Sequence, residues 1–322
     1  MSVNAPKGDG ITLSVSSQTN SDQDVSLEDI SQRDKVWDKH KINSESVSEH
    51  YKGTKYNRYS QRVSICAELL DFKLTPDAEE GILKLKLSAA HFCRVRHCSV
   101  CQWRRSLMWK AKACKILPKV MEDCPKHRWL FLTLTVRNCK IVELRETLSW
   151  MHKSFVRLTK LKDWPADGWI KSTEVTRGKD GSAHPHFHCL IMVPASYFSG
   201  QAYLSQKRWS ELWQQCTRLD YQPMTHIKAV ARHHDPRSLI PEILKYQVKE
   251  SDLVADKAWF LELTKQLHKT RAVSVGGVLR DYMKALEEEP EDLIGEGDEL
   301  APDEGHLYFG WKQKKKKYKL ID

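Results

Sequence analysis

The stretch His184-Pro185-His186-Phe187-His188-Cys189-Leu190-Ile191-Met192-Val193 decides how this chain is read. Its alternation and β-branched residues run into Pro194 and a Ser/Gly loop, which predicts a β-strand. Strand residues alternate faces, so His184, His186 and His188 point one way and Phe187, Cys189 and Ile191 the other. Two imidazoles side by side on one face are the start of a divalent-metal site. A histidine-rich strand whose ring nitrogens are satisfied without metal is the alternative, and the rest of the chain has to decide.

Working outward, Trp169–Thr176 reads as a strand, and Arg177-Gly178-Lys179-Asp180-Gly181 as the hairpin loop joining it to the histidine strand. Glu174 can then reach the histidines and complete a three-ligand site. Arg128–Val136 is a third strand, with its threonines on one face and Leu132, Leu134 and Val136 on the other. That pattern suits an antiparallel sheet with helices mainly behind it and an open active face. Ile141–Leu161 has the apolar spacing of an amphipathic helix. Further helices are expected near Ser205–Thr217, Ala255–Leu267 and Val278–Leu286, and a strand at Met224–Val230. Pro241–Lys249 is expected to be helical, which would put Glu242 and Tyr246 on one face.

Upstream lies His91-Phe92-Cys93-Arg94-Val95-Arg96-His97-Cys98-Ser99-Val100-Cys101. Cys98 and Cys101 form a C-x-x-C knuckle, with Cys93 five residues earlier and Cys66 further back. Four thiolates would bind Zn²⁺ tetrahedrally, with His91 or His97 as a substitute for one of them. A redox C-x-x-C is the rival, but no βαβ pattern surrounds this one. Ordinary buried cysteines are the plain alternative. Arg94, Arg96, Arg104 and Arg105 flank the knuckle and suit phosphate contacts. Gln102–Val120 then reads as a helix with interleaved lysines.

Composition bounds the rest. The chain has 322 residues, a formal charge of +10, nine cysteines and 11 tryptophans. Residues 51–130 hold 17 Lys/Arg against 7 Asp/Glu, so the basic excess is localised. A polyanionic partner follows from that charge. No apolar run approaches a membrane span and no export signal is evident, so thiols or metal ligands are expected in place of disulfides. No Walker-type loop is present, so no ATPase is expected. Four regions are expected: a disordered tail (1–50), a basic Cys-rich zinc-type segment (51–125), a catalytic domain (126–286), and an acidic then basic flexible tail (287–322).

Taken in order, these blocks resemble the rolling-circle replication initiators of small plasmids, in the HUH endonuclease superfamily. Phe131-Leu132-Thr133-Leu134-Thr135 resembles the family's first motif, and His184-Pro185-His186-Phe187-His188 its metal motif. Glu242-x-x-x-Tyr246-x-x-Lys249 resembles its nucleophile motif in the single-tyrosine branch. The cysteine cluster with Cys66 resembles the Cys-rich segment before the first motif. The resemblance implies an α+β fold and metal-dependent, site-specific nicking of origin DNA. His186, His188 and Glu174 would hold Mg²⁺ or Mn²⁺, with His184 behind them, and the cysteines structural Zn²⁺. Tyr246 would be the nucleophile and Glu242 would act on water at termination. Lys249 would hold the phosphate or lower the tyrosine pKa. Implied partners are single- and double-stranded origin DNA, host helicase, polymerase and single-strand binding protein, and a homodimer is open. The implied setting is the cytoplasm of a plasmid-bearing bacterium. A relaxase or single-strand transposase shares the chemistry; a non-catalytic zinc-stabilised DNA-binding regulator is the rival of another class.

Overall fold

The structure is a computed structural model that describes residues 25–76, 83–199, 202–231, 235–244, 247–286 and 305–321. In chain order its elements are α1 (Leu27–Ile30), α2 (Val36–Tyr51), α3 (Asn57–Ser64), β1 (Leu69–Pro76), β2 (Leu83–Ala90), α4 (Ser99–Asp123) and β3 (Arg128–Thr135). There follow α5 (Leu144–Leu158), β4 (Gly168–Arg177), β5 (Ala183–Val193), α6 (Gln206–Thr217) and β6 (Thr225–Ala229). The last are α7 (Ile240–Ile243), α8 (Glu250–Ala255), α9 (Lys257–Gln266), β7 (Val273–Gly277), α10 (Leu279–Lys284), β8 (His306–Lys312) and β9 (Lys317–Ile321). The fold is α+β, with two antiparallel sheets ordered β2-β1-β8-β9 and β6-β3-β5-β4-β7. Two units emerge: a terminal one from residues 1–104 and 292–322, and a central one from residues 105–291. Their division at Arg104/Arg105 lies upstream of the boundary expected at 125/126.

In the terminal unit, α2 corrects the expectation that residues 1–50 are disordered; residues 1–24 lie outside the described residues. Trp37, Lys41, Ser44, Ser48 and Tyr51 form a buried stripe at helical spacing. Three of the five are polar, so the stripe does not show as hydrophobic periodicity. Each polar member has a partner. Lys41 Nζ donates to the carbonyls of Ser64 (2.8 Å) and Cys66 (2.7 Å), and Ser48 Oγ donates to Ser60 O (3.0 Å). Ser44 Oγ accepts from Val100 N–H at 3.2 Å.

The C-terminal lysine run is also ordered. Residues 305–321 build the β8–β9 hairpin beside β1, which corrects the flexible tail expected there; residues 287–304 and 322 lie outside the described residues. Phe309 and Tyr318 are fully buried, and Tyr318 OH donates to Ala67 O at 2.5 Å. Lys316 and Lys317 pair with Glu45 and Glu28, so two of the lysines are spent within the unit.

The central sheet is built on β5, which pairs with β3 on one side and β4 on the other. Its back is the apolar face read from the alternation: Leu132, Leu134, Phe187, Cys189 and Ile191 pack against Met151, Phe155 and Leu158 of α5 and Trp209 and Trp213 of α6. The front is divided. Trp129, Phe131, Leu190 and Met192 pack against Ile116, Leu117 and Val120 of α4 and Leu279 and Met283 of α10. The other end carries Thr133, Thr135, His184, His186, His188, Ser172 and Glu174, in register across three strands.

Candidate metal and nucleophile site

The β4–β5 register sets Glu174 opposite His186 and Ser172 opposite His188. One carboxylate oxygen, Glu174 Oε2, lies 3.2 Å from His186 Nε2 and 3.0 Å from His188 Nε2. All three side chains are buried, at 5, 9 and 8 % exposure. The far ring nitrogens are occupied: His186 Nδ1 faces His184 O at 3.2 Å and His188 Nδ1 faces Thr133 Oγ1 at 3.2 Å. Phe131 stacks on the His188 ring. Without a metal, Glu174 Oε2 accepts from both Nε2 atoms; were a cation bound and Nδ1 to carry the proton, each Nε2 would offer it a lone pair, so three ligand atoms converge. Burial by itself would raise the Glu174 carboxyl, but hydrogen bonds and charge from His186 and His188 outweigh it and hold the carboxyl well below its usual range. The donor set of two imidazoles and a carboxylate, all within 4.8 Å of one another, fits Mg²⁺ or Mn²⁺ with open positions. His184 is half-buried beside His186 and outside that cluster.

Three hydrogen bonds fasten the chain on either side of residues 245 and 246, where the sequence predicts the nucleophile. Ser172 Oγ donates to Ile243 O, Ser106 Oγ donates to Leu244 O (2.6 Å), and Val175 N–H donates to Gln247 O (2.8 Å). In a continuing helix the carbonyls of residues 243 and 244 would accept from the N–H groups of residues 247 and 248. The serines engage them here, and Val248 makes a parallel bridge with Val175. α7 ends at Ile243, Val248 pairs as strand and Lys249 is extended, which corrects the helix expected over Pro241–Lys249; the expected shared face of Glu242 and Tyr246 falls on a residue outside the described ones. Glu242 is exposed in the first turn of α7, and Lys249 is exposed and extended before α8. Lys245 and Tyr246 lie outside the described residues. The chain on either side of them is fastened to Ser172 and Val175, which straddle Glu174.

Cys66, Cys93, Cys98 and Cys101 are brought together in the terminal unit, all buried. Cys66–Cys101, Cys93–Cys101 and Cys66–Cys98 sulfurs are each 3.6 Å apart. These spacings are far beyond a disulfide bond and close to the ~3.8 Å edge of a tetrahedron with Zn–S bonds of about 2.3 Å. Backbone N–H groups of Cys93 and Val95 point at the sulfurs of Cys66 and Cys93. Ala67 and Arg94, each following a cysteine, are left-handed at φ 53° and 56°. Hydrogen bonding to Cys101, Cys93 and Cys98 pushes the Cys66 thiol far up. Four thiolates packed this closely would repel one another unless a cation joined them, so the set fits a soft divalent ion. Among the described residues neither His91 nor His97 belongs to the cluster.

The family model for "Replication protein" (Rep_1) matches residues 84–319, a span that includes the knuckle from Cys93, the His/Glu cluster, Tyr246 and most of the C-terminal hairpin. This chain belongs to the replication protein family. Curated relatives agree. "Protein rep" of Streptococcus pneumoniae serotype 2 is 33% identical over 263 residues, covering 79% of this chain and 81% of that protein. The "Protein rep" of Lactiplantibacillus plantarum is 34% identical over 293 residues (85% and 90%). That of Bacillus amyloliquefaciens is 32% identical over 325 residues (88% and 93%). No solved structure matches the chain.

In this replication protein the flanking arginines have differing surroundings. Arg94 is exposed, and Arg96 and Arg105 are half-buried. Arg104 lies over the rings of Trp37, Phe92 and Trp103 at 5.5, 5.9 and 5.6 Å, so its guanidinium is built into aromatic packing. Two other tyrosines, Tyr221 and Tyr282, are engaged elsewhere. Tyr221 OH accepts from Arg137 N–H at 2.8 Å, beneath the Arg137 guanidinium. Tyr282 OH donates to Asp123 at 2.7 Å, which pushes its pKa up to about 12. Thr133, Ser172, Ser106 and Lys41 escape sequence reading as positioning residues, because a lone hydroxyl or lysine carries no pattern. Only the first motif, through Thr133, offered a signal. No helix among the described residues is long and apolar enough to cross a membrane.

Proposed function

We propose that the chain initiates plasmid rolling-circle replication by nicking one strand of origin DNA with Tyr246. The observation that carries this reading is the fastening of the chain around Tyr246 to Ser172 and Val175, on both sides of a buried His/His/Glu cluster. The Tyr246 phenolic oxygen attacks phosphorus in line. The new bond joins tyrosine oxygen to phosphorus, the bond to the 3′-oxygen breaks, and that oxygen leaves with a proton as a 3′-OH. The product is a 5′-phosphotyrosyl link, which conserves the bond and lets the strand be rejoined without ATP. A divalent cation held by His186, His188 and Glu174 would neutralise charge on the phosphate's non-bridging oxygens. Thr133 and the His184 carbonyl keep both imidazoles in the tautomer that faces that cation. Lys249 supplies positive charge to the scissile phosphate, and Glu242 deprotonates water at the end of a round.

The free 3′-OH primes synthesis by a host polymerase, with host helicase and single-strand binding protein acting on the displaced strand. The buried Cys₄ set holds zinc, and Arg94, Arg96 and Arg105 contact the duplex. Family membership favours replication over the relaxase and transposase readings, and a regulator without catalysis leaves the His/His/Glu cluster unused. Incubating the protein with labelled single-stranded origin DNA, with and without Mn²⁺, tests the reading. A metal-dependent nick supports it, and an uncut strand under both conditions refutes it.

A further inference from the structure

We propose that the turn and helix from Tyr51 to Arg62 form a separate contact site for unpaired DNA, with bases stacked on Tyr56 and Tyr59. This segment precedes residue 84, where the family match begins, and includes none of the knuckle arginines. Its sequence, Tyr51-Lys52-Gly53-Thr54-Lys55-Tyr56-Asn57-Arg58-Tyr59-Ser60-Gln61-Arg62, interleaves aromatic and basic residues. No acidic residue occurs between Glu49 and Glu68.

The structure turns that interleaving into a surface. Tyr56 and Tyr59 are half-buried with near-parallel rings, 10° apart in plane and 5.8 Å between centroids. Both rest edge-on against fully buried Tyr51, at 5.8 and 5.5 Å, so the pair is seated on the core. Lys55 and Arg58 are exposed, with Lys55 Nζ 5.2 Å from the Tyr56 ring centre, and Lys52, also exposed, pairs with Glu49 at 3.3 Å.

The backbone is fixed in advance. Gly53 sits at φ +70°, and its N–H donates to Asn57 Oδ1 at 3.0 Å. Thr54 Oγ1 donates to Tyr51 O at 2.7 Å and accepts from Tyr56 N–H at 3.1 Å. Arg62 donates to Cys93 O, which ties the end of the segment to the cysteine knuckle. Rigid aromatic rings beside mobile cations hold single strands through base stacking and phosphate neutralisation. A duplex hides its base faces, so the stacking part of this site is reserved for unpaired DNA.

The proposal rests on the reading that this chain works on DNA, and the test separates the two. Binding of the full chain to a fluorescent dT₂₀ strand and to a blunt duplex is measured by anisotropy across a salt series. Tyr56→Ala/Tyr59→Ala should weaken dT₂₀ binding about tenfold and change duplex binding less than about threefold. Tyr56→Phe/Tyr59→Phe should bind dT₂₀ like the parent, because the ring faces remain. Lys55→Gln/Arg58→Gln alters only exposed side chains. It should flatten the dT₂₀ salt slope by about 1.4, for two lost phosphate contacts. Photocrosslinking of a 5-iododeoxyuridine strand should mark Tyr56 or Tyr59 in the parent protein. Unchanged dT₂₀ binding and salt slope in these variants, with crosslinks elsewhere, would overturn this site and leave nicking untouched. A parent chain that binds neither DNA would overturn the DNA reading and this site together.

Discussion

Val175 N–H donates to Gln247 O at 2.8 Å, which joins the residue after Glu174 to the residue after Tyr246. One backbone hydrogen bond thus ties the strand that carries Glu174 to the chain just after the proposed nucleophile, 72 positions later. Hydrogen bonds from Ser172 and Ser106 to the carbonyls just before Tyr246 complete the attachment. Catalysis by in-line attack depends on such positioning, because misplacement by about 1 Å can cost on the order of a hundredfold in rate.

The His/His/Glu cluster should be required for nicking and not for duplex binding. His186→Ala/His188→Ala and Glu174→Gln should each lower nicking at least about a hundredfold, a loss of several kcal/mol of charge stabilisation. Duplex affinity in a gel-shift titration should stay within about twofold. EDTA should abolish nicking and Mn²⁺ restore it; full activity in excess EDTA would contradict the assignment.

Purified protein should carry about one tightly held zinc per chain. Cys98→Ser should remove it and cost roughly 4 kcal/mol or more, as loss of a structural metal does. Metal analysis and denaturant unfolding check this. A zinc-free parent protein that melts like the zinc-loaded one would rule the site out.

Lys171 has a stability cost that depends on pH. It lies on the back of the sheet at 3 % exposure, with Nζ 3.1 Å from His152 Nδ1 and 4.0 Å from the Phe187 ring centre. Burial lowers its pKa to about 8 from an ordinary 10.5. Between those values the unfolded chain binds more protons than the folded one, so this group makes stability rise with pH across that window. Below about pH 8 the full penalty applies. Lys171→Met should therefore stabilise the protein by about 1–3 kcal/mol at pH 7. The gain over the parent should shrink as pH climbs from 8 towards 10.5, as followed by urea unfolding of both proteins.

The central strands were legible because alternation separates their faces: Leu132 and Leu134 went to the back and Thr133 to the front, where it meets His188. The short Gly178–Gly181 loop was enough to bring Glu174 opposite His186. Other features could not be read. Lys41 and Lys171 are buried, whereas a lysine in a sequence suggests solvent. The β8–β9 strands are hidden in a lysine run whose pairing to Glu45 and Glu28 is purely tertiary. The end of α7 at Ile243 depends on serines 71 and 138 positions away in the chain, beyond the reach of local periodicity.

Glu242 and Tyr246 should separate by step. Glu242→Ala should leave the first nick and its covalent adduct within about threefold of the parent, since a base for water is needed only at the end. Release should fail, so multimers of the displaced strand accumulate on a gel of replication products. Normal termination would return Glu242 to a solvated residue in the first turn of α7.

The identity of the residue that becomes joined to DNA tests the account most directly. Labelled single-stranded origin DNA is incubated with the protein and Mn²⁺, the adduct is digested with trypsin, and the DNA-bearing peptide is sequenced by mass spectrometry. The DNA should be on Tyr246, and Tyr246→Phe protein, folded and still binding duplex, should form no adduct. An adduct that survives Tyr246→Phe, or DNA found on Tyr221 or Tyr282, would contradict it.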